Sequence, residues 1–248
     1  GRAYRGRARL QGDDGRVITQ EEMEERLIAR HPSVMEAESL VMIQCAGPWD
    51  DDPTVPFYCS RVCCTAAIKN ALKAKELNPE IAVIVLFRDM RTYGFKESLY
   101  TEAREKGIVF IRFDDRNRPL VSSVDGRLQV EIEEPVLRLP LVLKPDMLVL
   151  SQAIVPPEGS RELANIFKFP LSTEGFFLEA HLKLRPVDFA SDGLYLCGLA
   201  HYPKTINETI AQAEAAAARA AGILSQDSLL VGGIVAVVDG ERCAACLT

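Results

Sequence analysis

Four cysteines crowd into the stretch VMIQCAGPWDDDPTVPFYCSRVCCTAAIKNALKAKEL, at Cys45, Cys59, Cys63 and Cys64. A thiolate is a nucleophile and also a soft metal ligand. Grouped four at a time, thiolates select an iron–sulfur cluster or zinc, whereas one disulfide joins only two of them. Cys63 and Cys64 are neighbours in the chain. A disulfide between them would be strained, so shared ligation is the easier chemistry. A lone cysteine behaves as a small buried hydrophobe, but four gathered at a strand end and a helix start call for another explanation. The positive end of the helix dipole and the neighbouring Arg61 both favour thiolates there.

The elements that must position these sulfurs read as alternating strand and helix. Leu40 to Gln44 is a buried strand, and Cys59 to Leu77 a helix with Val62, Ala66, Ala67, Ala71 and Leu72 on its apolar side. Ile81 to Phe87 is a second strand, Phe95 to Lys106 a second helix and Ile108 to Phe113 a third strand. Short apolar runs alternating with helices indicate βαβ units and a parallel sheet covered on both faces. A hairpin signal at Asp125-Gly126 separates Leu120–Val124 from Leu128–Ile132, and another buried strand follows at Met147 to Leu150. This order resembles the pyridine-nucleotide domain of flavoproteins that bind two dinucleotides. Such a domain carries a glycine-rich turn after its first strand, where the backbone approaches a pyrophosphate. Here Gln44-Cys45-Ala46-Gly47-Pro48 stands in that place and no GxGxxG occurs in the chain. The expectation is that thiolates replace the nicotinamide site.

Before this unit, Thr19-Gln20-Glu21-Glu22 forms a capping-box pattern that opens a charged helix through about Ala29. The segment 1–38 reads as a connector whose partner lies partly upstream of Gly1. Residues 39–155 form the nucleotide-domain-like unit with its cysteine insertion, ending at a linker marked by Pro156-Pro157 and Glu158-Gly159. In 156–230 a short helix is expected at Glu162–Phe167, a strand at Phe176–Ala180, and another strand within Asp192–Ala200 that ends at Gly198. An alanine-rich helix follows from Ile206 to Leu224. A strand–helix junction of this kind can hold a flavin's diphosphate or ring edge on main-chain amides, or it is simply a helix packed on a sheet. Ile234 to Val238 and then Cys243-Ala244-Ala245-Cys246 begin a C-x2-C-x2-C-x3-C-P pattern that the last residue leaves incomplete. Residues 231–248 are therefore expected to open a truncated ferredoxin-like module in a longer polypeptide.

With 48% hydrophobic and 26% charged residues, the composition is that of an ordinary globular protein. No apolar run approaches the ~20 residues of a membrane span, and the N-terminus lacks a signal-peptide core. Thiols rather than disulfides fit a reducing cytoplasm. A net charge of -6 argues against sequence-independent nucleic-acid binding, despite Arg2, Arg5, Arg7 and Arg9.

Several segments together carry a family resemblance: IQCAG, YCSRVCCTAAIKNALKAKE, FRDMRTYG, GFFLEAHLKLRPV, GLYLCGLAHYPKTINETIAQAEAAAARAA and VVDGERCAAC. From about Val17 onward the chain resembles the A subunit of heterodisulfide reductase and its relatives in anaerobic bacteria and archaea. The resemblance implies an iron–sulfur flavoprotein oxidoreductase subunit with an α/β, FAD/NAD(P)-binding, thioredoxin-reductase-like Rossmann-type three-layer fold. It implies a [4Fe-4S] cluster held by Cys45, Cys59, Cys63 and Cys64. It also implies FAD contacts around Gly198, Ala200, Lys204, Thr205, Ile206 and Gln212, with the glycine-rich half of the flavin domain before Gly1. Lys69 would face the flavin as the catalytic cation, stabilising an anionic reduced isoalloxazine, or else be an exposed helix lysine.

Members of the family relay electrons between FAD and clusters, and some perform flavin-based electron bifurcation. The implied partners are other heterodisulfide-reductase-type subunits, hydrogenase- or dehydrogenase-linked donor subunits and ferredoxin, with disulfide cleavage left to a partner. Cys197 stands where relatives are expected to carry alanine, and His181 and His201 are further flavin neighbours or structural histidines. The competing reading is a structural zinc-binding interaction domain in which the four cysteines close a tetrahedral site with no redox role.

Overall fold

The computed structural model describes residues 1–136, 138–228 and 237–244. Its elements in chain order are β1 (Arg2–Ala3), β2 (Val17–Thr19), α1 (Gln20–Ile28), α2 (Pro32–Met35), β3 (Ser39–Ala46), α3 (Pro48–Asp51) and α4 (Cys63–Leu77). Then come β4 (Ala82–Phe87), α5 (Glu97–Glu105), β5 (Val109–Arg112), β6 (Leu120–Val124), β7 (Arg127–Glu134) and β8 (Leu139–Leu143). The series closes with β9 (Met147–Gln152), β10 (Ile154–Val155), α6 (Ser160–Phe167) and α7 (Ile206–Leu224).

Five strands form a parallel sheet in the order β2-β9-β3-β4-β5. One face is covered by helices: Met23 and Leu27 of α1, Ala67, Ile68, Ala71 and Ala74 of α4 and Ala103 of α5 share a core with Leu40, Met42, Val83, Val85 and Val149. The other face packs on the antiparallel sheet β6-β7-β8, where Leu128, Val130 and Ile132 meet Val41, Ile43, Leu86, Leu148 and Leu150. The result is three layers, helices over parallel sheet over antiparallel sheet. A parallel sheet covered in this way needs apolar residues at consecutive positions, and β9 runs Met147-Leu148-Val149-Leu150 with all four buried.

Several sequence expectations need adjustment. The expected connector supplies an edge strand, β2, paired in parallel with β9, and the helix behind it buries Met23 and Leu27. Three residues were too few to stand out as a strand, although the Thr19/Glu22 capping box is present as expected. The helix expected from Cys59 begins at Cys63, because Arg61 adopts the left-handed region at φ 63 and breaks the helical path. The strands expected at Phe176–Ala180 and within Asp192–Ala200 are not formed. Only isolated bridges occur there, Leu171↔Phe177, His181↔Arg185 and Asp188↔Tyr195, and a single 3-10 turn spans Gly198–Ala200. Pro170 and Pro186 lack the N–H a ladder needs, and Gly193 at φ 81 turns the chain. Helix α7 occupies the span expected of it. The stretch Ile234 to Val238 lies largely outside the described residues, as does Cys246, so the expected ferredoxin-like opening is not described.

The helix–sheet layer carries the stability of this unit. Ile68 is fully buried in it, so Ile68→Ala is expected to cost about 3 kcal/mol in urea unfolding. Thr19→Ala, which removes only the α1 cap, is expected to cost about 1 kcal/mol. An Ile68→Ala cost no larger than that of the cap would contradict this placement of the core.

Candidate functional site

The central strand β3 ends in an irregularity. Its register against β9 shifts between Ile43 and Ala46, and Cys45 lies in the left-handed region at φ 60. A non-glycine residue there is strained, and the strain turns Cys45 out of the ladder at the carboxyl end of the sheet. In doubly wound folds this is where ligands bind. Two contacts fix the turn: the Trp49 indole N–H donates to the Cys45 carbonyl at 3.1 Å, and the Gly47 N–H donates to Asp50 at 2.9 Å. A Cβ on Gly47 would lie 2.4 Å from the Trp49 ring, so only glycine fits there. Asp50 also pairs with Arg9 and with Arg118.

The other three cysteines approach from the α4 side. Cys63 and Cys64 form the first turn of α4, and Cys59 lies in the loop before it. The Arg61 N–H donates to Cys59 Sγ at 3.3 Å, and the Cys64 thiol lies 3.6 Å from the carbonyl of Asp89, two residues beyond β4. The thiols sense one another. Burial, then Cys64 and Cys59, push Cys45 up to about 12. A hydrogen bond from Cys63 to Cys64 lowers Cys64 to about 7 and raises Cys63, which also feels Cys45 and Cys59. Among the described residues no three Cys, His, Asp or Glu side chains are gathered tightly enough to hold a single ion.

Two further polar residues flank the cysteines. Gln44 is fully buried beside Cys45 and neither of its amide atoms has a hydrogen-bond partner. Thr65, next to Cys64, has a buried hydroxyl in the same condition. Unpartnered buried polar groups are rare in native proteins and each calls for a partner. Four thiols and these two orphaned groups fit a soft, sulfur-rich group that accepts hydrogen bonds.

The second half of the site is the turn before α7. Gly198 sits at φ 62, and its N–H donates to Gln212 Oε1 at 2.8 Å. Lys204, buried, donates to the Gly198 carbonyl at 3.1 Å and to Gln212 Oε1 at 2.8 Å, and lies 3.1 Å from His201 Nδ1. Two donors on one Gln212 atom identify it as the oxygen, so the amide nitrogen, 2.7 Å from His201 Nδ1, is the donor there. His201 therefore carries its proton on Nε2, and that N–H donates to Glu179 at 2.7 Å. Burial and the nearby Lys204 lower the His201 pKa. Lys204 and Gln212 thus direct their polar atoms inward and hold the turn. Ala200 closes that turn, and Thr205 caps α7 in a reciprocal box with Glu208 ahead of Ile206, which is exposed.

An ion pair joins the two halves. Arg61, from the cysteine loop, reaches Glu208 at 2.5 Å and the Tyr93 hydroxyl at 3.0 Å. Beside it opens a cleft of about 560 Å³ walled by Cys59, Arg61, Asp89, Arg91, Tyr93 and Tyr202. A larger cavity of about 810 Å³, lined by Trp49, Phe57 and Arg118 among others, contains no cysteine.

Lys69 is not brought to this site. It is half-exposed and pairs with Glu24 of α1 at 2.6 Å, because five residues beyond Cys64 is about 1.4 turns, which carries the side chain roughly 140° round α4 and toward α1. His181 accepts from the main-chain N–H groups of Lys183 and Leu184 in an exposed turn. Cys197 is half-buried and close enough to Lys204 to influence its charge. Sequence reasoning missed Gln44, Glu179 and the role of Glu208. The Thr205–Glu208 spacing was the one available signal.

No protein-family model matches the chain. The chain is 36% identical to the A subunit of the Ferredoxin:CoB-CoM heterodisulfide reductase of Methanosarcina acetivorans, over 84% of this chain and 26% of that protein. It is 40% identical to the A subunit of the H(2):CoB-CoM heterodisulfide,ferredoxin reductase of Methanothermobacter thermautotrophicus, over 84% and 31%. It is 34% identical to a protein of Archaeoglobus profundus described as like the A subunit of heterodisulfide reductase, over 93% and 32%. The chain thus spans roughly a quarter to a third of the length of the curated relatives it matches. In fold it resembles T. acidophilum thioredoxin reductase, with a TM-score of 0.55 at 10% identity over 85% of this chain and 58% of that one. It also resembles L-lysine 6-monooxygenase from Pseudomonas syringae, with a TM-score of 0.54 at 12% identity over 91% and 62%. On this sequence similarity and this FAD/NAD(P)-binding α/β fold, the chain belongs to the family of heterodisulfide reductase A subunits, of which it corresponds to one segment.

Proposed function

We propose that this chain is the electron-transfer segment of an iron–sulfur flavoprotein oxidoreductase, with Cys45, Cys59, Cys63 and Cys64 as ligands of a [4Fe-4S] cluster and the Gly198–Gln212 junction as part of an FAD site. The observation that carries the reading is the placement of Cys45, Cys59, Cys63 and Cys64 within electrostatic reach of one another at the carboxyl end of a buried parallel sheet. Bound there, a cluster supplies one-electron steps and a flavin two-electron steps. The chain's own residues prepare both places. The bulge at Cys45 turns one sulfur out of the sheet, and the first turn of α4 presents two more toward the positive end of its dipole. The Gly198 turn and the capped start of α7 hold main-chain N–H groups where an anionic ring edge or diphosphate would be bound.

The names of the relatives support the assignment of partners. They refer to ferredoxin, to H(2) and, in Methanococcus maripaludis, to formate, and one relative from Methanopyrus kandleri is called an iron-sulfur subunit. On this basis the chain works in a complex with other heterodisulfide-reductase-type subunits and a hydrogenase- or dehydrogenase-linked donor, with ferredoxin as an exchange partner and bifurcation as an accessible mode. Among the described residues no helix is long and apolar enough to cross a membrane. A reducing cytoplasm is the compartment the thiols favour.

The zinc alternative uses the same four cysteines to close one tetrahedral site with no redox role, and metal analysis separates the two, since a cluster brings iron and sulfide.

One measurement tests this reading, and a second tests the buried network before α7. Anaerobic reconstitution should give about four irons and four sulfides per site, with a low-temperature EPR signal after dithionite reduction. Each of Cys45→Ser, Cys59→Ser, Cys63→Ser and Cys64→Ser should lose most of that iron, while Cys197→Ser keeps it. Zinc in place of iron, or an undiminished signal in Cys59→Ser, would refute the assignment. The second measurement concerns pH. Because the folded protein holds the His201 pKa below its ordinary value, the stability this residue contributes is complete above about pH 6.5 and declines as pH falls through the lower folded value. Thermal melts of wild type should therefore fall with acidification below about pH 6.5, and His201→Gln should flatten that part of the profile.

A further inference from the structure

Among the described residues, Gln44 is the buried side chain with both amide atoms left without a partner. It lies in β3 between Ile43, which is paired on both sides with Leu86 and Leu150, and Cys45, where the strand breaks. Alternation along the strand puts it on the face that carries Leu40 and Met42, the face covered by α4. It has no solvent exposure, and neither the oxygen nor the nitrogen of its carboxamide has a partner. Every other residue of β3 from Leu40 to Ile43 is apolar and buried, so leucine or methionine would suit position 44 better if packing were the only demand. An amide placed there without a partner is costly to the fold.

We propose that the Gln44 carboxamide is a hydrogen-bond donor to the sulfur-rich group that Cys45 and its fellow cysteines bind, and that it raises the reduction potential of that group. This rests on the function proposed above and adds a residue to it. The position supports the role, since Gln44 adjoins one candidate ligand and the face it occupies is covered by the helix whose first turn supplies two others. The orphaned Thr65 hydroxyl lies in the same turn of α4. An N–H aimed at a sulfur bound to metal stabilises the state with the extra electron, so its loss moves the potential in the negative direction.

The proposal makes two measurements move in opposite senses. In the metal-free full-length protein, Gln44→Met replaces an unsatisfied amide by an apolar side chain of similar shape, and Tm should rise by about 3 °C. In the same protein purified anaerobically with its centre intact, Gln44→Met should shift the EPR-monitored midpoint potential to a more negative value than wild type. Gln44→Leu should do the same, so poor folding of one variant does not decide the matter. A role for Gln44 in packing alone, or satisfaction by a buried water, would not produce that pair of results. If wild type shows no iron–sulfur signal, the reading of the site fails and this inference with it. If wild type shows the signal but Gln44→Met and Gln44→Leu leave its potential unchanged, or both melt below wild type when metal-free, only the role of Gln44 is overturned.

Discussion

A strand covered on both faces has no side on which to hold a ligand, and this constraint governs β3. Its side chains are committed to the helical layer or to the antiparallel sheet, so chemistry can begin only where the ladder stops. The stop is built from a strained residue. Cys45 takes a left-handed conformation, the Trp49 indole holds its carbonyl, and Gly47 leaves room for the indole ring. The loop that follows brings Cys59 within electrostatic reach, and α4 brings Cys63 and Cys64. Each later feature of the site depends on that first departure from the sheet.

The turn before α7 shows how side chains expected to touch a ligand can instead serve the backbone. Lys204 and Gln212 close a buried network with His201 and Glu179 around the Gly198 turn. Their charge and amide dipoles are balanced internally, so under the proposed reading the turn would offer a ligand main-chain N–H donors rather than these side chains. A preorganised turn of this kind costs no rearrangement when a ligand arrives. It also explains why a lysine can be buried here, since it donates to the Gly198 carbonyl and to Gln212 Oε1, with His201 Nδ1 nearby.

Much of this was legible in the residues alone. The βαβ alternation gave the parallel sheet, Asp125-Gly126 gave the hairpin, and the spacing of Thr19 to Glu22 gave the start of α1. The grouping of cysteines was also plain, because four soft ligands near one helix start are uncommon for any other purpose. What escaped was nonlocal. β2 is three residues long and is a strand only because β9 lies beside it, and β8 follows β7 through a turn with no hairpin signature. For Lys69 the sequence left a flavin-facing cation and an exposed helix lysine both open, because distance from Cys64 along the helix does not say which way a side chain faces; it pairs with Glu24 of α1. Gln44 looked ordinary in sequence, and its lack of partners appears only when the whole core is assembled around it.

One carboxylate has two duties. Glu208 completes the cap of α7 by accepting from Thr205, and it also receives Arg61 from the cysteine loop. Burial works against its charged form, yet the Thr205 N–H and the Arg61 guanidinium together hold its pKa below the ordinary range. Acid strong enough to neutralise it would loosen the helix start and untie the sulfur loop in a single event. The cysteine loop and the turn before α7 therefore share one acid-labile latch, and slackening either end slackens the other.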